Sequence, residues 1–593
     1  MPRSRTAIRP YFVSHMKSSP NASPAPATPL TSLPFQAPGP GPWEAETTHF
    51  PRPITRFAAE AFVRAFPVGF AEGTARYGLL LSHFKGALVN GFFYQQPVAY
   101  GAPEGAAGPP PKAVLWLLTR LHPKLRARIE TCRQAFANKL WRKELETWDT
   151  IERPRAVREH SRLQAIDPAG LSDTELSRHL EVLHAHMEAM ICLHHRYTIT
   201  CIIATGDYLA HVTRWTGASA GEALQLLAGT SPISKGVAAT ELTTLATSIQ
   251  ASPDAARVLA GSDPARVLAE LCALPDPIGK QARAYLDIVR YRSVGYDLCD
   301  RACGEMPELL LRAIRASLDG GSAERALAQR AEKERALRAR VPAQHQAEFD
   351  VLLGEARAIN RLRDERGVYS DGWGTGLARR GVLETGRRLL ERGLLSDAEH
   401  AVDVTLPELQ ALLAGGTSPT RAEVEERVRW RKTKTVADIP AWLNAPPAGP
   451  PSAEILPAAA RRAARAVDAV LSNLFKEAET ESTAQVVRGL SVNNGVYEGR
   501  ARLVLDAADF SKIERGDVLV TRATSPYFNV VLPLLGALVT DRGGQLCHAA
   551  IVAREYGIPG IVGTKVATQT IADGARVRVD GATGEVRVLA APA

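Results

Sequence analysis

The spacing of the apolar residues changes once along this chain, and that change limits what the chain can fold into. Between about residues 44 and 443 apolar positions recur at helical spacing, and strand-like alternation is scarce. LSDTELSRHLEVLHAHMEAMICLHH (171–195) is representative. Ser172, with Glu175 three residues on, reads as a capping box, and Leu176, Leu180, Leu183 and Met187 then share one face. VLETGRRLLERGLLSDAEHAVDVTLPELQALLAGG (382–416) reads as helix, glycine stop, turn, and a second helix capped by Thr405. NAPPAGPPSAEI (444–455) then breaks the pattern, and an Ala/Arg-rich helix at roughly 456–478 follows. From about 486 to 593 short β-type runs take over: ARLVL, DVLVTR, GALVTD, PGIVG, ARVRVD and EVRVL, punctuated by Gly, Asp and Pro. One helix stands out among them, CHAAIVAREY (547–556), with Gly557 as its stop.

These changes predict a multidomain chain. A mostly α-helical domain covers 44–443, a linker with a helix covers 444–485, and a small α+β domain covers 486–593. Residues 1–43 hold ten prolines, four basic residues and no acidic one, which predicts a disordered Pro-rich tail. The net charge of +9 belongs partly to that tail. No long Lys/Arg run with interleaved aromatics is present, so nucleic acid is not an expected partner. No apolar run is long enough for a membrane span and no secretory leader is evident, so neither a membrane nor export is expected. Seven cysteines without framework spacing suit a reducing cytoplasm. Cys299 and Cys303 read as a core pair, and Cys192, His195 and Cys201 do not have zinc-ligand spacing, so no metal site is expected.

The stretch DRGGQLCHAAIVAREYGIPG (541–560) carries His548, the only histidine after His400. Gly543 and Gly544 permit backbone geometry that other residues resist. The helix then starts near Cys547, which sets His548 among unpaired N–H groups at the positive end of the helix dipole. That field favours a neutral imidazole and welcomes a phosphate. A histidine that accepts and donates a phosphoryl group needs both properties. Thr524 and Ser525, in RATSPY (522–527), are candidate donors to phosphoryl oxygens, and Arg554 is a candidate counter-charge set well round the helix. On the residues alone, a packed core histidine is an equal alternative.

GALVTDRGGQLCHAAIVAREYGIPGIVGT (536–564) resembles the swivelling phosphohistidine domain of phosphoenolpyruvate-utilising enzymes, and the likeness extends over roughly 486–593. The resemblance implies that His548 is the phosphorylated residue, with Gly543, Gly544 and Cys547 binding the phosphate. More diffusely, HFPRPITRF (49–57), LLAGTSPIS (226–234) and LLERGLLSDAEHAVDVTLPELQALL (389–413) resemble the helical substrate domain of rifampicin phosphotransferase within that family. The ATP-grasp domain of single-chain members is expected to be absent, as in the histidine-bearing subunit of phenylphosphate synthase. The resemblance therefore implies no cofactor bound by this chain itself. ATP and Mg²⁺ would act through a separate ATP-grasp partner, and a small-molecule acceptor bearing a hydroxyl or enolate would sit in the helical domain. A phosphocarrier or regulatory protein with no acceptor of its own is the alternative. A general base for the acceptor is expected in the histidine-rich stretch 184–211, with His184, His195, Asp207 and His211 as candidates beside His186 and His194.

Overall fold

The computed structural model describes residues 34–592 apart from 104–105, 107, 231–237, 319–322, 448, 450, 476–481, 484, 506, 525–527 and 529–530. The fold is a predominantly helical body followed by a small α/β domain.

Long helices with one apolar face build the body. Helix Asp173–Arg196 starts at Ser172, whose side chain accepts from the Glu175 N–H while the Glu175 carboxylate accepts from the Ser172 N–H, so both ends of the capping box are made. Its buried face, Leu176, Leu180, Leu183 and Met187, packs with Phe57 and Ala61 of helix Arg56–Arg76 and with Trp373 and Leu377 of helix Asp371–Glu391. Thr405 caps its helix through a second capping box with Glu408.

The helical region also contains a sheet, which corrects the expectation that strands are scarce there. β1 (Trp43–Ala45), β2 (Leu81–Val89), β3 (Phe92–Ala99) and β4 (Trp442–Leu443) form one sheet in the order β2-β3-β1-β4. β2 and β3 are a hairpin about Asn90-Gly91, and both turn residues have left-handed backbones, φ 51° and 84°. That dipeptide is the strongest short-range hairpin signal a sequence offers, and β2 hides it because most of its residues are half-buried rather than alternating. Residues 34–43 are packed rather than loose: Phe35 and Ala37 lie against the Trp43, Phe92 and Tyr94 cluster. The disorder expected of residues 1–33 falls outside the described residues.

The helix Ala458–Phe475 lies along helix Thr198–Thr216 as part of the body, not as a free spacer. Gly206 lets the two backbones meet, because a Cβ there would come 2.0 Å from the Ala466 carbonyl oxygen. The Arg462 guanidinium grips both oxygens of Asp207, at 2.9 and 2.7 Å.

The C-terminal domain is an eight-stranded mixed sheet, order β5-β12-β11-β7-β8-β9-β10-β6. Its strands are β5 (Val486–Arg488), β6 (Leu490–Asn493), β7 (Val496–Val504), β8 (Val518–Thr521), β9 (Ala537–Thr540), β10 (Gly560–Val562), β11 (Arg576–Asp580) and β12 (Glu585–Ala590). Strands β7 to β10 run parallel at its centre. The residues of β8, β9 and β10, such as VLVT and ALVT, are buried throughout, as parallel strands covered on both faces require. Helix His548–Tyr556 crosses between β9 and β10 and ends at Gly557, φ 65°. One continuous core joins this domain to helices Ala239–Gln250 through Pro307–Ser317 of the body.

Candidate functional site

His548 is the first residue of its helix. Cys547 before it has extended backbone, and its sulfur takes hydrogen bonds from the first-turn N–H groups of Ala549 and Ala550. Gly543 has φ 106°, and a Cβ there would come 2.7 Å from the Cys547 sulfur. Gly544 serves a different contact. A Cβ on it would lie 2.2 Å from the Asn473 carbonyl oxygen, and the Gly544 and Leu546 N–H groups donate to the carbonyls of Leu474 and Asn473 at 2.9 and 3.2 Å. The histidine loop thus caps the C-terminal end of helix Ala458–Phe475 and docks on the body.

The His548 ring is half-buried, and its Nδ1 lies 3.0 Å from Thr524 Oγ1. With Nδ1–H donating to that hydroxyl oxygen, Nε2 keeps its lone pair. Burial, then the Arg363 guanidinium of helix Leu362–Tyr369, pulls the imidazole pKa down to about 3, so the ring is neutral at physiological pH. Arg363 therefore has two effects on this site: it opposes imidazolium and it attracts an anion. Burial also raises the Cys547 thiol pKa, so its sulfur stays protonated.

Arg554 takes another place than a phosphate counter-charge would. Its guanidinium is buried under the loop and donates to the Gln545 backbone carbonyl at 2.6 Å and to the Gln545 side-chain oxygen. It holds the loop's shape from beneath. Ser525 lies outside the described residues.

The four acceptor-side candidates are not brought together. His184 is buried edge-to-face against Phe57, ring centroids 5.1 Å apart. Asp207 is the buried anchor for Arg462 of helix Ala458–Phe475, and His211 Nδ1 donates to the Asp207 carbonyl oxygen at 2.8 Å within their own helix. His195 lies edge-to-face on Phe62 and Phe66 and next to His194. Of the four, His195 alone lies beside a second polar cluster, of which the sequence singled out only His194.

That cluster joins His49, Glu46, His194, Asp371, Arg366 and Tyr296. His194 Nδ1 is 2.9 Å from Asp371 Oδ1, and Arg366 donates to the His194 carbonyl and to Thr198 Oγ1, both at 3.0 Å. His49 Nδ1 is 3.0 Å from Glu46 Oε1, and its ring stands edge-on to Tyr296. The two histidines are pushed apart. Burial lowers the His49 pKa, but the adjacent Glu46 carboxylate more than offsets this and the net shift is upward. At His194 burial, then Arg366, outweighs Asp371 and the net shift is downward. Asp371 and Tyr296 also line a narrow cavity walled by Phe50, Phe62, Met187 and Ile191, with about 20 Å³ of free volume, room for about one water. The Arg542 guanidinium of the histidine loop donates to the Thr47 carbonyl, two residues from His49, so the docked loop reaches the edge of this cluster. Among the described residues no group of three His, Cys, Asp or Glu side chains is placed to hold a metal.

The signal for the missed residues was present but split. His49 sits in HFPRPITRF, while Arg363, Arg366 and Asp371 sit in RLRDERGVYSD (361–371), a charged stretch that reads as a solvated helix face until Asp364 and Glu365 prove buried.

Comparison with known proteins agrees with this geometry. Residues 513–584 match the family of the PEP-utilising enzyme mobile domain, and residues 194–364 match the rifampicin phosphotransferase fourth domain. An uncharacterized phosphotransferase, YvkC, of Bacillus subtilis is 31% identical over 242 residues, 41% of this chain and 27% of that protein. A rifampicin phosphotransferase of a Streptomyces species is 30% identical over 366 residues, 59% of this chain and 39% of that protein. A probable phosphoenolpyruvate synthase of Archaeoglobus fulgidus is 43% identical over 116 residues, 19% of this chain and 15% of that protein. In each case the chain spans less than half of the relative's length.

Proposed function

We propose that this chain, which carries a PEP-utilising enzyme mobile domain, is a phosphotransferase component whose His548 carries the phosphoryl group. The observation that carries the reading is the neutral His548 ring as the first residue of its helix, bonded to Thr524 and within the field of Arg363. In the loading step the Nε2 lone pair attacks a phosphorus atom and an N–P bond forms as the P–O bond to the leaving group breaks. The dianionic phosphoryl group gains the first-turn N–H groups and the Arg363 cation. Two covalent steps let one imidazole serve a donor and an acceptor that never meet.

The finer parts rest on the resemblance drawn from the sequence. The β-phosphoryl of ATP is the donor: attack at the β-phosphorus releases AMP, water then hydrolyses the β–γ bond and releases the γ-phosphate, and a separate ATP-grasp component with Mg²⁺ does the loading. The acceptor is a small molecule bearing a hydroxyl or enolate, bound in the helical domain beside His194 and Asp371. His194, held by Asp371, then receives the hydroxyl proton. The small volume of the cavity lined by Asp371 and Tyr296 favours a second reading, a phosphocarrier that passes the group to another protein.

The test is to mix the chain with a purified ATP-grasp protein and ATP labelled at the β-phosphorus. Label on the wild type and none on His548→Ala supports the proposal, and label that survives the substitution refutes it. Discharge of that label by small molecules bearing a hydroxyl or enolate favours the enzyme reading, and discharge only to a second protein favours the carrier.

A further inference from the structure

Helix Lys112–Leu121 (KAVLWLLTRL) is anchored on one side only. Thr119 is its one buried residue, Leu115 packs against Ile129 and Leu456, and Arg120 Nη1 donates to the carbonyls of Trp116 and Ile455 at 3.1 and 3.0 Å. Its other side is bare. Val114, Trp116, Leu117 and Leu121 are 44%, 48%, 49% and 64% exposed. Other large exposed apolar residues among those described are scattered singly over the fold, so these four form a patch that calls for an occupant. Val114, Leu117 and Leu121 follow i, i+3 and i+7 and make one ridge. Trp116 flanks it, with the Arg120 guanidinium 4.3 Å over its ring.

Charge decides what fits. Residues 111–129 contain Lys112, Arg120, Lys124, Arg126 and Arg128 and no acidic residue. A second copy docked through the same face would set these cations against themselves. The chain's own first residues carry Arg3, Arg5, Arg9 and Lys17 and no acid, so they are repelled too. Protein interfaces are depleted in lysine at their core and pair charges across a polar rim. An aliphatic ridge flanked by a tryptophan and ringed mainly by cations, with Glu130 beside Arg120 and Arg126, suits an anionic bilayer surface. There the apolar side chains enter the headgroup boundary, and each Lys or Arg adds about 1 kcal/mol.

We propose that helix Lys112–Leu121 is a peripheral docking element that seats the protein on anionic lipid. This departs from the sequence-based expectation of no membrane partner. It needs no spanning segment, and among the described residues no helix is long and apolar enough to cross a membrane. The patch adjoins the root of helix Ala458–Phe475, through Arg120 with Ile455 and Ile129 with Ala460. Docking here would fix the helical body and leave the C-terminal domain to move.

The test is co-sedimentation of the full chain with vesicles of phosphatidylcholine mixed with phosphatidylglycerol, against vesicles of phosphatidylcholine alone. The wild type is expected on the mixed vesicles at low salt, off the neutral ones, and released as salt screens the charges. Leu117→Asp with Leu121→Asp, at exposed positions, should weaken partitioning at least about tenfold, a loss of about 1.4 kcal/mol, with an unchanged circular dichroism spectrum. Lys124→Glu with Arg126→Glu should do the same without touching the ridge. The proposal is overturned if the wild type ignores mixed vesicles or binds both kinds alike. It is also overturned if the variants bind as the wild type does, which would assign binding to the basic N-terminal residues. A dimer dispersed by the aspartate variant, with no vesicle binding, would make the patch a self-interface instead.

Discussion

Gly544→Ala separates docking of the histidine loop from the chemistry of the histidine. The new methyl carbon would stand 2.2 Å from the Asn473 carbonyl oxygen and 2.9 Å from its carbon, so the loop and the end of helix Ala458–Phe475 must part. Two hydrogen bonds go with that contact, Gly544 N–H to Leu474 at 2.9 Å and Leu546 N–H to Asn473 at 3.2 Å. At a net ~0.5–1.5 kcal/mol each, the docked arrangement loses roughly 1–3 kcal/mol. Its population relative to the undocked one then falls about 5- to 150-fold. Gly544 does not need a left-handed backbone, whereas Gly543 does, so the substitution leaves the loop's own conformation accessible. Amide hydrogen exchange checks this directly. The Leu546 amide and the backbone amide of the substituted residue itself should both exchange faster by that factor, while β8 and β9 stay protected. Loading of His548 should persist, and transfer onward from the docked arrangement should slow. Unchanged protection at Leu546 would refute the docking account.

Three further outcomes follow from the same geometry. Arg363→Met removes the second cause of the His548 shift, so the imidazole pKa should rise from about 3 while staying below its usual value because burial remains; proton NMR of the ring reads this, and an unmoved titration counts against it. Asp207→Asn leaves Arg462 without its carboxylate. Breaking a buried pair costs ~3–5 kcal/mol, and with Arg462 41% exposed the loss should be about 1–3 kcal/mol in denaturant unfolding, with helix Ala458–Phe475 loosened first. His548 and His186, pulled down mainly by burial to about 3 and about 4, bind fewer protons folded than unfolded, where His titrates near 6.5. Stability should therefore be full above that value and fall as pH drops from about 6.5 toward 3; a flat melting temperature across that window contradicts both shifts.

The C-terminal domain was legible because its signals are local. The runs ARLVL, DVLVTR, GALVTD, PGIVG, ARVRVD and EVRVL fall on strands β7 to β12, and the Gly-Gly entry, Cys547 and Gly557 bracket a helix that begins at His548. β5 and β6 were missed because VVR and LSVN lack the continuous apolar run that marks the equally short β8, β9 and β10. In the helical body the caps at Ser172 and Thr405 were readable, whereas the acceptor-side cluster was not. His49, His194 and Asp371 are far apart in sequence, and only packing of Arg56–Arg76 against Asp173–Arg196 and Asp371–Glu391 brings them together. Clustering along the chain pointed to His194 and His195 but equally to His184, Asp207 and His211, which fill the core and anchor Arg462. Arg554 shows the same limit: proximity in sequence suggested a phosphate partner, and the structure uses it to hold Gln545.

The central claim is that His548 carries the phosphoryl group, and locating that group is its most direct test. After loading, the protein should hold phosphate that is stable in base and lost in acid, as an N–P bond is. Tandem mass spectrometry of the peptide spanning 547–556 should then place it on His548 alone. Phosphate on Thr524 or Ser525, or an acid-stable phosphate anywhere in the chain with none on His548, would contradict the account.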